Sequence, residues 1–131
     1  MTGPFFLGVD EVLLIHRREI EQAGGDPGVR DRSALEAAVG APQATHAGEY
    51  LLDLFDMAAA YLVSIAVRHP FLDGNKRTAA ATALTFLYLN GWTVEERHPE
   101  ELADMVLALL RHELDRPQVG TWLRERSVPR G

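Results

Sequence analysis

Residues 69–81 read HPFLDGNKRTAAA, and they set a histidine, an aspartate, an asparagine, a lysine and an arginine around one glycine. MAAAYLVSIAVR (57–68) precedes this stretch and TAAATALTFLYLN (78–90) overlaps its end, both largely apolar. A plain turn between two buried segments needs only a cap and a glycine. The flanks decide the fold. Over residues 52–68, Leu54, Ala58, Tyr61, Leu62 and Ile65 fall at helical steps, and the segment is apolar nearly all round. That predicts a central, buried helix. A second helix starts near Asn75 and ends at the stop pair Asn90-Gly91, with Ala79, Ala83, Phe86 and Leu87 on its inner face. Its alanines let another helix approach closely.

Outward from this pair the chain continues as helices joined by short loops. Residues 9–22 predict a helix on Val12, Ile15, Glu19 and Ile20, stopped by AGGDPG, whose glycines suit a left-handed C-terminal residue. Asp31 can cap a short helix that ends near Gly40, before Ala41-Pro42, and Ser33 with Glu36 has the capping-box pattern. Trp92-Thr93-Val94 reads as a short extended piece. Pro99 suits a first helical position, with Glu100 and Glu101 at the positive end of the dipole and Leu102, Met105, Val106, Leu109 and Leu110 on one face. Residues 117–126 predict a last short helix, and the tail SVPRG a frayed end. No stretch sustains period-two alternation. The expected fold is all-α: a compact bundle of about six helices, with room for one small hairpin in the loop 42–50.

At 131 residues the chain is expected to form a single domain over 1–131. A chain of this size buries roughly two thirds of its unfolded surface, so it needs no staples. There is no cysteine, which excludes a disulfide scaffold and a thiol nucleophile and fits a reducing cytoplasm. The net charge of −6 argues against wrapping duplex DNA, so no direct nucleic-acid binding is expected. The longest low-charge stretch, 57–67, is too short for a bilayer, and MTGPFFLGVDEV lacks the basic start and apolar core of a secretion signal.

The polar loop carries the chemistry. The helix beginning at Asn75 points its free N–H groups back at the loop, and a helix N-terminus binds anions. Gly74 leaves the backbone open to a ligand. Lys76 and Arg77 add positive charge, the arginine as a fork of donors. Asn75 can donate to a phosphate oxygen or bond the backbone. Asp73 is out of place beside phosphate unless a cation lies between them, and magnesium binds through one or two carboxylates plus substrate phosphates. His69 suits a general base near neutral pH. Together these are the parts of phosphoryl or nucleotidyl transfer from a nucleoside triphosphate to a hydroxyl. Pro70 and Phe71 pin the loop to the core. Taken singly, each residue also has an ordinary reading: Asp73 as an N-cap, Gly74 as a turn, Lys76 and Arg77 as solvated charges, His69 as a helix-end residue. One short loop supplying every role is what favours the chemical one. It is not a Walker A loop, which requires G-x-x-x-x-G-K-[ST].

His69-Pro70-Phe71-Leu72-Asp73-Gly74-Asn75-Lys76-Arg77 resembles the Fic/Doc signature H-x-F-x-[DN]-[AG]-N-[GK]-R, which sits between two helices. The resemblance extends over GGDPGVRDRSALEAAVGAPQ, DLFDMAAAYLVSIAVRHPF and TFLYLNGW, from about residue 9 to 110. Fic-type AMP-transferases carry glycine at the eighth motif position and a second arginine three residues after the first. This chain has Lys76 and Ala80 there, so it resembles the Doc (death-on-curing) toxins. That branch implies an inverted nucleotide and transfer of the γ-phosphate of ATP to a protein hydroxyl.

On this resemblance His69 is the base, Asp73 the Mg2+ ligand, Gly74 and Asn75 shape the anion hole, and Lys76 and Arg77 hold phosphates. It implies a cytoplasmic toxin of a bacterial type II toxin–antitoxin system that phosphorylates a threonine of elongation factor Tu and stalls translation. It also implies a Phd-like, partly disordered antitoxin that folds on binding. The alternatives are an AMP-transferase using the same loop and a non-catalytic module that binds antitoxin and represses its own operon. Self-inhibited Fic proteins carry [ST]-x-x-x-E-[GN]; here Thr45 and Glu49 precede Tyr50 and the partner arginine is Ala80, so inhibition is expected from a separate chain.

Several residues are set outside the site. His16 reads as a structural or surface histidine, Arg68 as an exposed helix-end arginine, and His98 as a helix-start residue. His112 with Glu113 lacks the second histidine of a zinc helix. Trp92 and Trp122 read as core or groove-lining. In the family the segment before the third helix forms a flap over the target, a role open to the loop around His46.

Overall fold

The computed structural model describes residues 3–131. α3 (Leu54–Arg68) is the axis: α2 (Arg32–Gly40), α4 (Asn75–Leu89), α5 (Glu101–Leu110) and α6 (Arg116–Arg126) all pack against it, while α1 (Val9–Ala23) lies on α4 and α2. Met57, Ala58, Ala59, Ala60, Tyr61, Leu62, Ile65 and Ala66 of α3 are buried, as an all-round apolar helix requires. Ala79 and Ala83 of α4 meet that surface fully buried, so the backbones of α3 and α4 approach closely. Among the described residues the chain forms the expected all-α bundle, with six helices.

The elements between helices are short. After a single 3₁₀ turn (Ala41–Gln43), β1 (Thr45–His46) and β2 (Glu49–Tyr50) form an exposed hairpin in the loop where one was expected. Its turn residues Ala47 and Gly48 have φ of 53° and 82°, as a two-residue hairpin turn demands. The N-terminal segment is tied down by side chains. Buried Tyr61 accepts from the Leu7 N–H and donates to the Leu7 carbonyl, both at 2.9 Å. Asn90 does the same for Phe5, at 2.9 and 3.0 Å.

Four local expectations are corrected. α3 begins at Leu54, not residue 52, because Asp53 caps it by accepting the Asp56 N–H at 2.9 Å. The Ser33–Glu36 capping box does not form: Asp31 takes the Ala34 N–H at 3.0 Å, so Ser33 already lies within the first turn. Pro99 does not open α5. The helix starts at Glu101, whose carboxylate turns back to the Arg97 N–H and pairs with Arg126, leaving Glu100 at φ 68°. The tail is not frayed. β4 (Ser127–Pro129) pairs antiparallel with β3 (Trp92–Val94), and Arg130 donates to the Gly91 carbonyl at 2.8 Å. The extended Trp92–Val94 piece has backbone groups to satisfy, and the tail supplies the partners.

Candidate functional site

α3 ends one residue before the motif loop. His69 is its C-cap, in the left-handed region at φ 52° and ψ 58°, and its N–H donates to Ile65 O at 3.2 Å. Pro70 and Phe71 are buried and anchor the loop; Phe71 also pairs with Val29 as an isolated antiparallel bridge. Leu72 N donates to Gly28 O at 3.0 Å, and a Cβ on Gly28 would lie 2.6 Å from the Leu72 side chain. The loop is thus braced along its length by residues 24–31, the segment between α1 and α2.

Asn75 settles its own role. Its Oδ1 accepts the Phe71 N–H at 3.0 Å and its Nδ2 donates to the Phe71 carbonyl at 2.9 Å. The side chain is buried and closes the loop, so what it offers an anion is the backbone N–H rather than the amide. Gly74, the N-cap of α4, has φ 79° and provides no side-chain acceptor for the first turn. α2, α3 and α6 each have an aspartate there instead, at Asp31, Asp53 and Asp115. The open N–H groups of α4, with its dipole, favour an anion. A side chain on Gly74 would meet Ile20 Cδ1 at 3.1 Å and Arg77 Nη2 at 3.4 Å.

The charged residues surround this N-terminus. His69, Asp73, Gly74, Asn75, Lys76 and Arg77, six residues named from the sequence, line one open cleft of about 570 Å³ whose far wall is Ala23, Gly24 and Gly25. His69, Asp73, Lys76 and Arg77 are exposed to it. Arg77 Nη2 donates to Gly24 O at 3.1 Å, which leaves its other donors for a ligand. Asp73 accepts the Asp26 N–H on Oδ2 at 2.7 Å. Among the described residues no cluster of three His, Cys, Asp or Glu side chains gathers to hold a metal unaided. One carboxylate beside a phosphate site is what magnesium needs when the phosphates complete its shell, so the residues fit that ion.

Two residues of the site carried no clear signal in sequence. His16 is buried on α1 between Val12 and Ile20, a four-residue stripe that marks it as inward-facing. Its ring stacks on Phe71, with centroids 3.7 Å apart and planes 6° apart, and its Nε2 lies 2.8 Å from the Asp73 carbonyl. It is structural, as expected, but its structure is that of the loop. Arg30 reaches across to the end of α3, donating from Nε to His69 O at 2.6 Å and from Nη2 to Arg68 O at 2.7 Å.

The residues set aside stay outside the cleft. His98 bonds Pro99 O through Nδ1 at 2.9 Å, and His112 follows α5 at φ 62°. Trp92 packs edge-on to Phe55, and Trp122 lies under the Arg126 guanidinium. Thr45 and Glu49 sit in the exposed hairpin.

Beside the cleft lies a mainly apolar groove of about 510 Å³ between α1, α4 and α5, lined by Leu84, Leu102, Val106 and Leu107 and sharing Lys76 and Arg77 with it.

The family described as Fic/DOC matches residues 6–87. A protein of Escherichia phage P1 named Protein kinase doc is 40% identical over 115 residues, covering 88% of this chain and 90% of that protein. A protein of Mycolicibacterium smegmatis named Toxin Doc is 54% identical over 69 residues, covering 52% of this chain and 53% of that one.

Proposed function

The chain belongs to the Fic/Doc family, within its Doc branch, and from that premise we propose that it is a toxin-type protein kinase. It transfers the γ-phosphoryl group of ATP to a threonine hydroxyl of elongation factor Tu and so halts translation in the cytoplasm. The observation that carries the proposal is the uncapped N-terminus of α4, with Lys76 and Arg77 beside it and His69 and Asp73 lining the same cleft. The relative named a protein kinase supports phosphoryl over nucleotidyl transfer, as do Lys76 and Ala80.

The chemistry follows from the positions. The N–H groups of Asn75, Lys76 and Arg77, with the two cationic side chains, hold the phosphates and offset charge on the transferring group. His69 takes the proton of the incoming hydroxyl as its oxygen bonds to the γ-phosphorus. The bond from that phosphorus to the β-bridging oxygen breaks, and ADP leaves. Asp73 would hold magnesium, which when bound neutralises phosphate charge and fixes the leaving group. A Phd-like antitoxin belongs to the same reading. The groove offers its folding segment an apolar face, and through Lys76 and Arg77 a chain lying there reaches the phosphate site.

Label transfer tests the proposal. The purified chain, magnesium and elongation factor Tu are incubated with ATP labelled at the γ-phosphate or at the α-phosphate. Label from the γ-position alone, abolished in His69→Ala, is expected. Label from the α-position would make the chain an AMP-transferase, and none from either would remove elongation factor Tu as the target.

A further inference from the structure

Arg30 donates to the carbonyls of three successive residues where α3 meets the motif loop. Its Nη2 donates to Arg68 O at 2.7 Å, its Nε to His69 O at 2.6 Å and its backbone N–H to Pro70 O at 2.8 Å. Asp31 adds a second donor to Pro70 O at 3.1 Å and then caps α2 with its side chain. The three carbonyls belong to the residues that turn the chain from α3 into the loop, and the middle one is the base of the proposed reaction.

His69 needs such a hold. It is not glycine, yet it sits at φ 52° and ψ 58°. For a residue with a Cβ that conformation is strained and persists only when the surroundings impose it. Pro70 adds to the constraint, because a residue before proline is disfavoured in the right-handed helical region. His69 therefore cannot relax into one more residue of α3. The last carbonyls of a helix carry partial negative charge and lack intrahelical partners, so a guanidinium is matched to them in charge and in geometry. A lysine has one nitrogen and cannot reproduce the fork. The His69 imidazole makes no hydrogen bond of its own among the described residues; the structure records only its backbone as bonded. Its direction into the cleft is set by that backbone.

We propose that Arg30 is a positioning residue for His69, locking the base in its left-handed cap conformation so that the imidazole faces the cleft. This rests on the kinase reading for its catalytic consequence, though not for its geometry. Losing the fork lets the loop entry move. A displacement of about 1 Å at a reacting group costs about 100-fold in rate.

The test uses the full chain with Arg30→Ala and Arg30→Lys, in two arms. In the first, the backbone and ring signals of His69 are compared by nuclear magnetic resonance with those of the unchanged chain. Both variants are expected to shift them, and guanidinium ion added to Arg30→Ala should move them back. In the second, γ-label transfer is measured. A fall in kcat of about 100-fold is expected for Arg30→Ala, with the KM for ATP nearly unchanged and partial recovery on adding guanidinium. Arg30→Lys should lie between, and it carries both arms if Arg30→Ala does not fold. Unmoved His69 signals in a folded variant would overturn the inference. So would a loss of activity that merely follows the melting temperature and ignores guanidinium. If the unchanged chain transfers no label, the kinase reading fails, while the magnetic resonance arm still decides the role of Arg30.

Discussion

His16 on α1 donates from Nε2 to the backbone carbonyl of Asp73, 57 positions away in sequence and 2.8 Å away in space. A carbonyl only accepts, so the proton is on Nε2. The same ring stacks on Phe71, whose backbone is in turn held by Asn75. A helix outside the motif thereby fixes the loop that presents Asp73. His16→Phe keeps a flat ring against Phe71 but strands the carbonyl. The expected loss is about 1–3 kcal/mol, read from urea denaturation, together with reduced label transfer. A variant as stable and active as the unchanged chain would show that the bond does not brace the loop.

Asp73→Asn isolates the charge. The backbone carbonyl stays available to His16, and an amide oxygen can still accept from Asp26, so the loop should keep its shape. What is lost is the negative charge with which Asp73 is proposed to hold magnesium. Transfer is expected to fall about 100-fold or more, with a raised magnesium requirement. Rates measured across a magnesium series check this, and an unchanged dependence would remove Asp73 as the ligand.

Much of this site was legible in sequence because its residues are contiguous. His69 to Arg77 lie in one loop, and a helix start can be read from the apolar period that follows it. Arg30 and His16 were not legible as site residues, because their partners are main-chain carbonyls. A carbonyl has no residue identity, so no spacing rule marks who will bond it. The β3–β4 pair was missed for a related reason. Trp92–Val94 showed its extended character, but its partner is a tail of only a few residues with no pattern of its own. The glycines of the segment 24–28 read correctly as a helix stop, with Gly24 at φ 83°, yet their closeness to Asp73 and Leu72 appears only in three dimensions.

Tyr61 makes the fold sensitive to alkali. Burial pushes its hydroxyl up from 10.0 to about 12, against the opposing bond from Leu7, with the Glu11 charge adding to the rise. Between these values the unfolded chain has lost the proton and the folded chain has kept it. Stability is therefore full below about pH 10 and falls as the pH approaches about 12. The separation corresponds to about 2–3 kcal/mol. Tyr61→Phe should be less stable at neutral pH, having lost both bonds to Leu7, and should show a shallower decline over this window. Urea midpoints at several pH values report it, and parallel curves for the two proteins would refute the assignment.

Glu101 acts at the other end of the scale. Burial pushes its carboxyl up, but the Arg97 N–H and the Arg126 guanidinium outweigh it and hold the group below the usual carboxylate range. A depressed carboxyl contributes stability above its unfolded pKa and loses it as the pH falls through the folded value. Glu101→Gln should therefore lower the melting temperature at neutral pH and flatten its dependence on acid. The pair also ties α5 to the end of α6, where β4 begins. Signals of Trp92 and Val128 should broaden in the variant, and unaltered signals would mean that the pair does not anchor the tail.

Lys76 is the second residue of α4, and it borders both the cleft and the apolar groove. Its side chain is exposed and makes no hydrogen bond or ion pair among the described residues, so its charge is available to a ligand. Lys76→Gly removes that charge and opens space beside the proposed phosphate site. A charged hydrogen bond contributes about 1.5–3 kcal/mol, so γ-label transfer should fall about 10- to 100-fold. Glycine within a helix also costs about 1 kcal/mol, and the melting temperature must be measured alongside to separate the two effects. Lys76→Met supplies the control, since it removes the charge while keeping the bulk. If Met retains γ-transfer and Gly loses it, volume orients the nucleotide. Loss in both makes the charge decisive, and full activity in both would show that Lys76 does not touch the phosphates.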